Sequence, residues 1–127
     1  MKLLKMIIFS TVIFSSNICA ASNNKYMEVH KGDNLIVSLE SNPSTGYGWM
    51  IKSLPKELIF VSSYYEQSKD CKDGAIGCSG TEKFNFIVQQ TGVADIKMIY
   101  GRAFDKKTWN ETKITVSIKK KILKLSQ

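Results

Sequence analysis

Short stretches of alternating apolar and polar residues, separated by clusters of Gly, Pro, Asn, Asp and Ser, make up most of the chain. The clearest example places Phe84, Phe86 and Val88 on one face and polar residues such as Lys83 and Asn85 on the other. A period of two is typical of a strand with one buried face. Because each apolar face needs a partner sheet, the pattern predicts an all-β sandwich. The predicted strands are residues 26–29, 34–40, 49–53, 59–66, 82–89, 94–100 and 111–119.

The beginning of the chain has a different pattern. Two lysines precede an apolar stretch at residues 6–14, and small residues follow around Ala20 and Ala21. This order is typical of a signal peptide cleaved after Ala20 or Ala21, and the stretch is too short to span a bilayer. We therefore predict a cleaved signal at residues 1–21 and one domain at residues 22–127. The mature protein is expected to be exported (secreted, periplasmic or in a vesicle lumen) without a stable membrane anchor.

Charge and composition exclude several classes of function. The formal net charge of +7 falls to +5 once the two lysines of the signal are removed. The basic residues are not interleaved with aromatic ones, so the charge predicts a solubilising surface and no nucleic-acid partner. The single histidine, His30, has no nucleophile or metal-ligand context around it. We therefore expect neither an enzyme nor a metal or cofactor site.

Only Cys71 and Cys78 remain after cleavage of the signal. An even number of cysteines in an oxidising compartment favours a disulfide. Two free thiols or a metal pair are the alternatives, and both are weaker because His30 lies far away in the sequence. The bridge is expected to stiffen the loop that it closes.

Three connections between the predicted strands are unusual. In residues 42–49, Pro43 and Gly46 suit a rigid projecting tip or a structural turn ahead of Trp49. Residues 67–80 form a long connection that is either a functional loop or a loose stapled one. In this segment Ile76 has small neighbours and is available to a partner's pocket.

The third connection, residues 101–110, contains Arg102, Phe104 and Trp109. Arginine and aromatic residues are common interface anchors. The alternative is that the aromatic residues cap the edge of the sandwich while Arg102 pairs with an acidic neighbour, and for Trp109 we favour this structural role.

These segments resemble the signatures of the chagasin-like inhibitors of cysteine proteases. The first resembles N-P-[ST]-T-G-[FY]-x-W, the second G-x-G-G-T-E-x-F and the third Y-x-R-P-[WF], in the same order. In this chain the matching residues are Asn42-Pro43-Ser44-Thr45-Gly46-Tyr47 with Trp49, then Gly77-Cys78-Ser79-Gly80-Thr81-Glu82 with Phe84, then Tyr100-Gly101-Arg102-Ala103-Phe104. The resemblance covers essentially the whole mature chain.

The resemblance implies an immunoglobulin-like β-sandwich of about seven strands with three projecting loops at one end. It also implies a monomer that reversibly blocks the active-site cleft of papain-like cysteine proteases of the cathepsin L or B type. The tip around Thr45 would cover the catalytic residues, Ile76 would face an apolar pocket, and Arg102 with Phe104 would grip the primed side of the cleft. The implied protease-binding residues are Asn42, Pro43, Ser44, Thr45, Gly46, Tyr47, Ile76, Gly77, Cys78, Ser79, Gly80, Arg102, Ala103 and Phe104.

Two positions depart from the family pattern. Ser79 stands where the family has glycine, which implies a less close approach of that loop to a partner. Ala103 stands where the family has proline, which implies less pre-organisation of Arg102 and Phe104.

A non-inhibitory binding module, such as an adhesin or a carbohydrate-binding sandwich, is the main alternative. It would require a row of exposed aromatic residues on one strand face. Tyr64 and Tyr65 are adjacent in the sequence and therefore point to opposite faces of a strand, which argues against such a platform. A structural domain of a larger surface assembly is a third possibility.

Overall fold

The computed structural model describes residues 24–72 and 75–123, which fold into two packed β-sheets. The predicted signal peptide lies outside these residues. Most strands form where alternating apolar residues give them one face to bury, and Gly, Asn, Asp and Pro clusters separate the strands. The strands are β1 (Asn24–His30), β2 (Asn34–Ser41), β3 (Gly48–Ser53), β4 (Leu58–Gln67), β5 (Gly80–Val88), β6 (Gly92–Arg102) and β7 (Asp105–Lys119).

One sheet has the order β1-β7-β6-β3 and the other the order β2-β5-β4. Strand β1 runs parallel to β7, whereas the other neighbouring strands are antiparallel. This two-layer arrangement confirms the predicted all-β, immunoglobulin-like sandwich of seven strands.

The core lies between the two sheets and consists of the inward residues of alternating strands. Phe86, Ile96 and Ile114 each have at most 1% of their surface exposed. The face predicted from the alternation in β5, with Phe84, Phe86 and Val88, is the buried one. The buried set is Leu35, Val37, Leu39, Leu58, Phe84, Phe86, Val88, Ala94, Ile96, Met98, Ile114, Val116 and Ile118.

Strand β4 corrects one expectation, because it buries only Leu58 along its length. It is an edge strand of the smaller sheet, and its register shifts between Phe60 and Ser62. Such a bulge disturbs the inward–outward alternation of the strand. Phe60 consequently covers the edge of the core beside Phe84 and Phe86, with 40% of its own surface exposed.

The third predicted connection is also shorter than expected. Strand β6 continues through Arg102, and β7 begins at Asp105 rather than near Glu111. The residues that open β7 are mostly polar, so they carry no apolar alternation. Backbone pairing with β6 is enough to extend the hairpin beyond the core.

Candidate functional site

The three unusual connections lie at the same end of the sandwich. We define loop 1 as residues 42–47 between β2 and β3, loop 2 as residues 68–79 between β4 and β5, and loop 3 as residues 103–104 between β6 and β7. Residues 73–74 of loop 2 lie outside the description. Loop 1 donates a hydrogen bond to Gly77 of loop 2 and accepts one from Arg102, the residue directly before loop 3, so it lies between the other two loops.

Loop 1 is an exposed turn that holds its own shape. Pro43 opens a single 3₁₀ turn that ends at Gly46, whose φ of +80° favours glycine. The Thr45 hydroxyl donates a hydrogen bond to the Asn42 carbonyl (2.7 Å) and accepts one from the Tyr47 amide (3.3 Å). These local bonds replace the buried contacts that an exposed tip lacks, so the tip is rigid although it projects into solvent.

Aromatic side chains support loop 1 from below. The Tyr100 ring lies 4.9 Å from the Trp49 ring and 5.6 Å from the Tyr47 ring, centroid to centroid. The Tyr100 hydroxyl accepts a hydrogen bond from the Asn42 amide (3.2 Å), and the Trp49 indole donates one to the Glu40 carbonyl (2.8 Å). Residues 42–49 therefore combine both roles considered for them, a projecting tip and a turn fixed by a partly buried tryptophan.

A carboxyl group lies under the base of loop 1. Glu82 is partly buried near the start of β5 and accepts a hydrogen bond from the Trp49 amide at 3.4 Å. Burial raises the pKa of this carboxyl, and the bond from Trp49 opposes that rise. Glu82 thus links the strand that leaves loop 2 to the strand that leaves loop 1.

Loop 2 is closed by the predicted disulfide between Cys71 and Cys78, with a Cα–Cα distance of 5.9 Å. Asn42 of loop 1 donates through its side-chain amide to the Gly77 carbonyl (3.1 Å). The Ser68 amide donates to the Ser79 carbonyl (3.3 Å) at the base of the loop. At the tip, Ile76 has 97% of its surface exposed and is available to a partner.

Loop 3 is a tight turn whose flanking residues are firmly held. The Arg102 amide donates to the Thr108 hydroxyl, and the Trp109 indole donates to the Arg102 carbonyl, both at 2.8 Å. Trp109 is half-buried and holds the hairpin, which agrees with the structural role favoured for it. Phe104 is 89% exposed at the turn.

The Arg102 side chain joins loop 3 to loop 1. Its guanidinium donates to the Thr45 carbonyl (3.3 Å) and lies 5.1 Å from the centre of the Tyr47 ring. A cation over an aromatic face is attracted by the ring quadrupole. Arg102 therefore pairs with loop 1, rather than with an acidic neighbour as the structural alternative required.

The geometry brings the predicted binding residues together at this end. It also adds residues that the sequence reasoning did not place in the site, namely Tyr100, Thr108, Trp109 and Glu82. Tyr100 and Glu82 belong to the quoted motifs, so their motif positions were the available signal. Thr108 accepts the bond from the Arg102 amide only because β6 pairs with β7, and no local sequence pattern predicts this contact.

The single histidine lies away from the three loops. His30 lies 3.6 Å from Asp33 at the end of β1 that pairs with Lys119, far along β7 from loop 3. Within residues 24–72 and 75–123, no three His, Cys, Asp or Glu residues are arranged to hold a metal ion. The same residues contain no helix that is long and apolar enough to cross a membrane.

Comparison with known proteins gives concordant results. A family model described as "Chagasin family peptidase inhibitor I42" matches residues 28–118, more than two thirds of the chain. Chagasin from Trypanosoma cruzi is 28% identical over 109 residues, which are 83% of this chain and 97% of chagasin.

Solved structures show the same sandwich. The cysteine protease inhibitor EhICP2 from Entamoeba histolytica aligns with a TM-score of 0.63 at 20% identity, over 76% of this chain and 88% of that one. PbICP-C, solved in complex with falcipain-2, aligns with a TM-score of 0.53 at 19% identity, over 77% and 91% of the two chains. At 19–20% identity, these structural similarities support the fold alone.

Proposed function

Because the chain belongs to the chagasin family of peptidase inhibitors, we propose that it is a reversible, tight-binding inhibitor of papain-like cysteine proteases. In this proposal loops 1, 2 and 3 together occlude the active-site cleft. The observation that carries it is the hydrogen bonding of loop 1 to loop 2 and to Arg102, the residue before loop 3, with Ile76 and Phe104 almost fully exposed beside it. A surface organised in this way loses little conformational entropy on binding, so modest contacts give high affinity.

Loop 1 is the proposed wedge. Thr45 at its tip lies over the protease cysteine and histidine, where a substrate would present its scissile bond. The positive φ of Gly46 turns the chain away from the extended path that substrates follow. No carbonyl of the turn is then aligned for attack by the thiolate, so the inhibitor stays intact.

Loops 2 and 3 are the proposed flanking grips. Residues 76–80 lie along the non-primed side, with Ile76 in an apolar pocket of the protease. On the primed side, Phe104 supplies apolar contact, and Arg102 acts in large part by holding loop 1 against loop 3. This division follows from exposure, since Phe104 makes no aromatic or cation–π pair within the described part of the chain, whereas Arg102 is occupied by Thr45 and Tyr47.

The finer assignments belong to the same proposal. The targets are enzymes of the cathepsin L or B type, the inhibitor acts as a monomer, and it has no catalytic activity of its own. It is exported after cleavage near Ala20 or Ala21, which places it in compartments where the Cys71–Cys78 disulfide persists.

The direct test is a titration of papain and of a cathepsin L-type protease with protein starting at Ser22. We expect reversible, substrate-competitive inhibition with the added protein remaining uncleaved. A folded sample that does not inhibit either enzyme at micromolar concentration would refute the proposal and favour the binding-module alternative.

A variant pair at Thr45 tests the wedge itself. Thr45→Asp removes the hydroxyl that donates to the Asn42 carbonyl and directs a carboxylate towards the catalytic residues. The lost hydrogen bond costs about 0.5–1.5 kcal/mol, and a charge buried without a partner costs more than that, so we expect inhibition at least about tenfold weaker. Thr45→Ser keeps the hydroxyl and should stay within about threefold of the parent. Equal inhibition constants for the Asp variant and the parent would exclude Thr45 from the cleft.

A further inference from the structure

We propose that the Cys71–Cys78 disulfide makes inhibition responsive to small thiols, because its reduction loosens loop 2 and weakens binding to the protease. This inference rests on the proposed function and adds a means of regulation to it.

Few other contacts hold loop 2 in place. Its described residues are exposed or only partly buried, and none belongs to the hydrophobic core. The Ser68–Ser79 bond closes the base of the loop, and the bond from Asn42 to Gly77 secures its far side. Between these two points, the Cys71 amide donates to the Ser68 carbonyl (3.0 Å) and the Ala75 amide to the Lys72 carbonyl (2.9 Å), each within one short turn. The disulfide is the covalent restraint that joins the two sides of the segment carrying Ile76.

The disulfide also affects loop 1. Cys78 directly follows Gly77, whose carbonyl accepts the Asn42 side-chain bond. The Asn42 carbonyl in turn accepts the Thr45 hydroxyl bond that shapes the wedge. A change in the position of Cys78 therefore reaches the tip of loop 1 through two hydrogen bonds.

The disulfide borders an open surface groove that small thiols can enter. Cys71 and Cys78 are only half-buried, and they line an open surface groove together with Ser68, Asp70 and Ser79. The Gln67 side-chain amide donates to Cys71 Sγ at 3.0 Å, which favours negative charge on that sulfur when the bond breaks. Accessible disulfides of this kind exchange with thiols more readily than buried structural ones.

The chemistry is ordinary thiol–disulfide exchange. A small dithiol attacks one sulfur as a thiolate, and the S–S bond breaks to give a mixed disulfide with the other cysteine released as a thiol. The second sulfur of the dithiol then displaces the remaining cysteine. Two electrons pass from the dithiol to the protein, so the dithiol becomes a disulfide and Cys71 and Cys78 become thiols.

This response would couple the inhibitor to the state of its target. A papain-like protease works through a cysteine thiolate, which must be reduced to act. Reducing conditions that keep the protease active would then also weaken the inhibitor. Conversely, oxidising conditions would keep loop 2 closed and inhibition tight.

The test compares inhibition constants of oxidised and reduced inhibitor. The protease is activated and freed of reductant by gel filtration, and the inhibitor is used either untreated or after dithiothreitol treatment under anaerobic conditions. Mass spectrometry checks that the inhibitor has gained two hydrogens. Ordering one backbone residue of a loosened loop corresponds to about a tenfold loss of affinity, so we expect the reduced form to bind about tenfold to a hundredfold more weakly.

Two variants serve as controls. Cys71→Ser leaves Cys78 in place but cannot form the bridge, and it should match the reduced parent in the presence and absence of dithiothreitol. Phe104→Ala removes a contact of loop 3 and should weaken the oxidised and reduced forms by the same factor, because distant sites contribute additively.

The outcomes separate the two proposals. Equal inhibition constants for oxidised and reduced parent protein would overturn the redox proposal and leave the inhibitory function intact. Absence of inhibition by both forms would overturn the proposed function and the redox proposal with it.

Discussion

The contact between loop 1 and loop 3 offers a quantitative test of how the binding end is held together. Arg102→Met keeps much of the length and apolar stem of the side chain but removes its guanidinium. The substitution abolishes the hydrogen bond to the Thr45 carbonyl and the stacking over Tyr47. The Arg102 amide donates to the Thr108 hydroxyl, and the Arg102 carbonyl accepts from the Trp109 indole. Neither bond involves the Arg102 side chain, so the hairpin itself should survive.

The two lost contacts set the size of the effect. The cation–π contact is exposed and is worth about 0.5–1 kcal/mol. The hydrogen bond is long, at 3.3 Å, and contributes a further ~0.5–1 kcal/mol. Their sum of about 1–2 kcal/mol predicts inhibition about fivefold to thirtyfold weaker. Tyr47→Leu removes the same ring contact from the other side, so the two substitutions should couple by about 0.5–1 kcal/mol in a double-mutant cycle.

The assay measures inhibition constants against papain for the parent, both single variants and the double variant. Lys106→Met is the matched control, because Lys106 belongs to the same hairpin and lies over Trp109 but not over Tyr47. It removes an equal charge and should change inhibition by less than about twofold. Strictly additive effects of the Arg102 and Tyr47 substitutions, within about 0.3 kcal/mol, would refute the claim that their contact holds the two loops together.

Two further predictions concern the base of the site. In Gly80→Ala the new methyl group would overlap the Glu66 carbonyl and the Tyr65 hydroxyl, so the free energy of unfolding in urea should fall by about 1–3 kcal/mol. Gly48→Ala is the control: its methyl group meets open space, and the free energy of unfolding should fall by less than about 0.5 kcal/mol. Burial raises the pKa of Glu82 in the folded protein above its ordinary value of 4.5. The folded protein therefore binds the proton more tightly than the unfolded chain does, and it loses stability as the pH rises from the unfolded pKa through the folded pKa. Glu82→Gln lacks this loss, and its unfolding free energy relative to the parent should be higher at pH 7 than at pH 4; the opposite trend would contradict the effect of burial.

The fold was predictable because one physical rule governs most of it. In strands such as β5 and β7, inward residues are apolar and outward ones are mostly polar, so the sequence alone identifies the buried face. The rule fails where burial does not decide the structure. Strand β4 lies at a sheet edge with a bulge, and the first half of β7 pairs with β6 beyond the core.

The tips of the candidate site were predictable for a different reason. The turn Pro43–Thr45 followed by Gly46 depends on the backbone preferences of proline and glycine, and these preferences can be read from neighbouring residues in the sequence. The contacts between the loops are not local. Asn42 is 35 residues from Gly77, and Arg102 is 57 residues from Thr45. Their pairing depends on the register of strands in both sheets, which no single segment specifies.

These long-range contacts also bear on the departure at Ala103. A proline there would fix one backbone dihedral and so restrict Arg102 and Phe104 before binding. In this chain Arg102 is instead restricted by Thr108, Trp109 and the face of Tyr47. Phe104 has no comparable restraint at 89% exposure, so the entropic cost of lacking proline falls on the backbone that positions Phe104 and not on Arg102. The substitution should therefore weaken the primed-side grip while leaving loop 1 as well supported as a proline would.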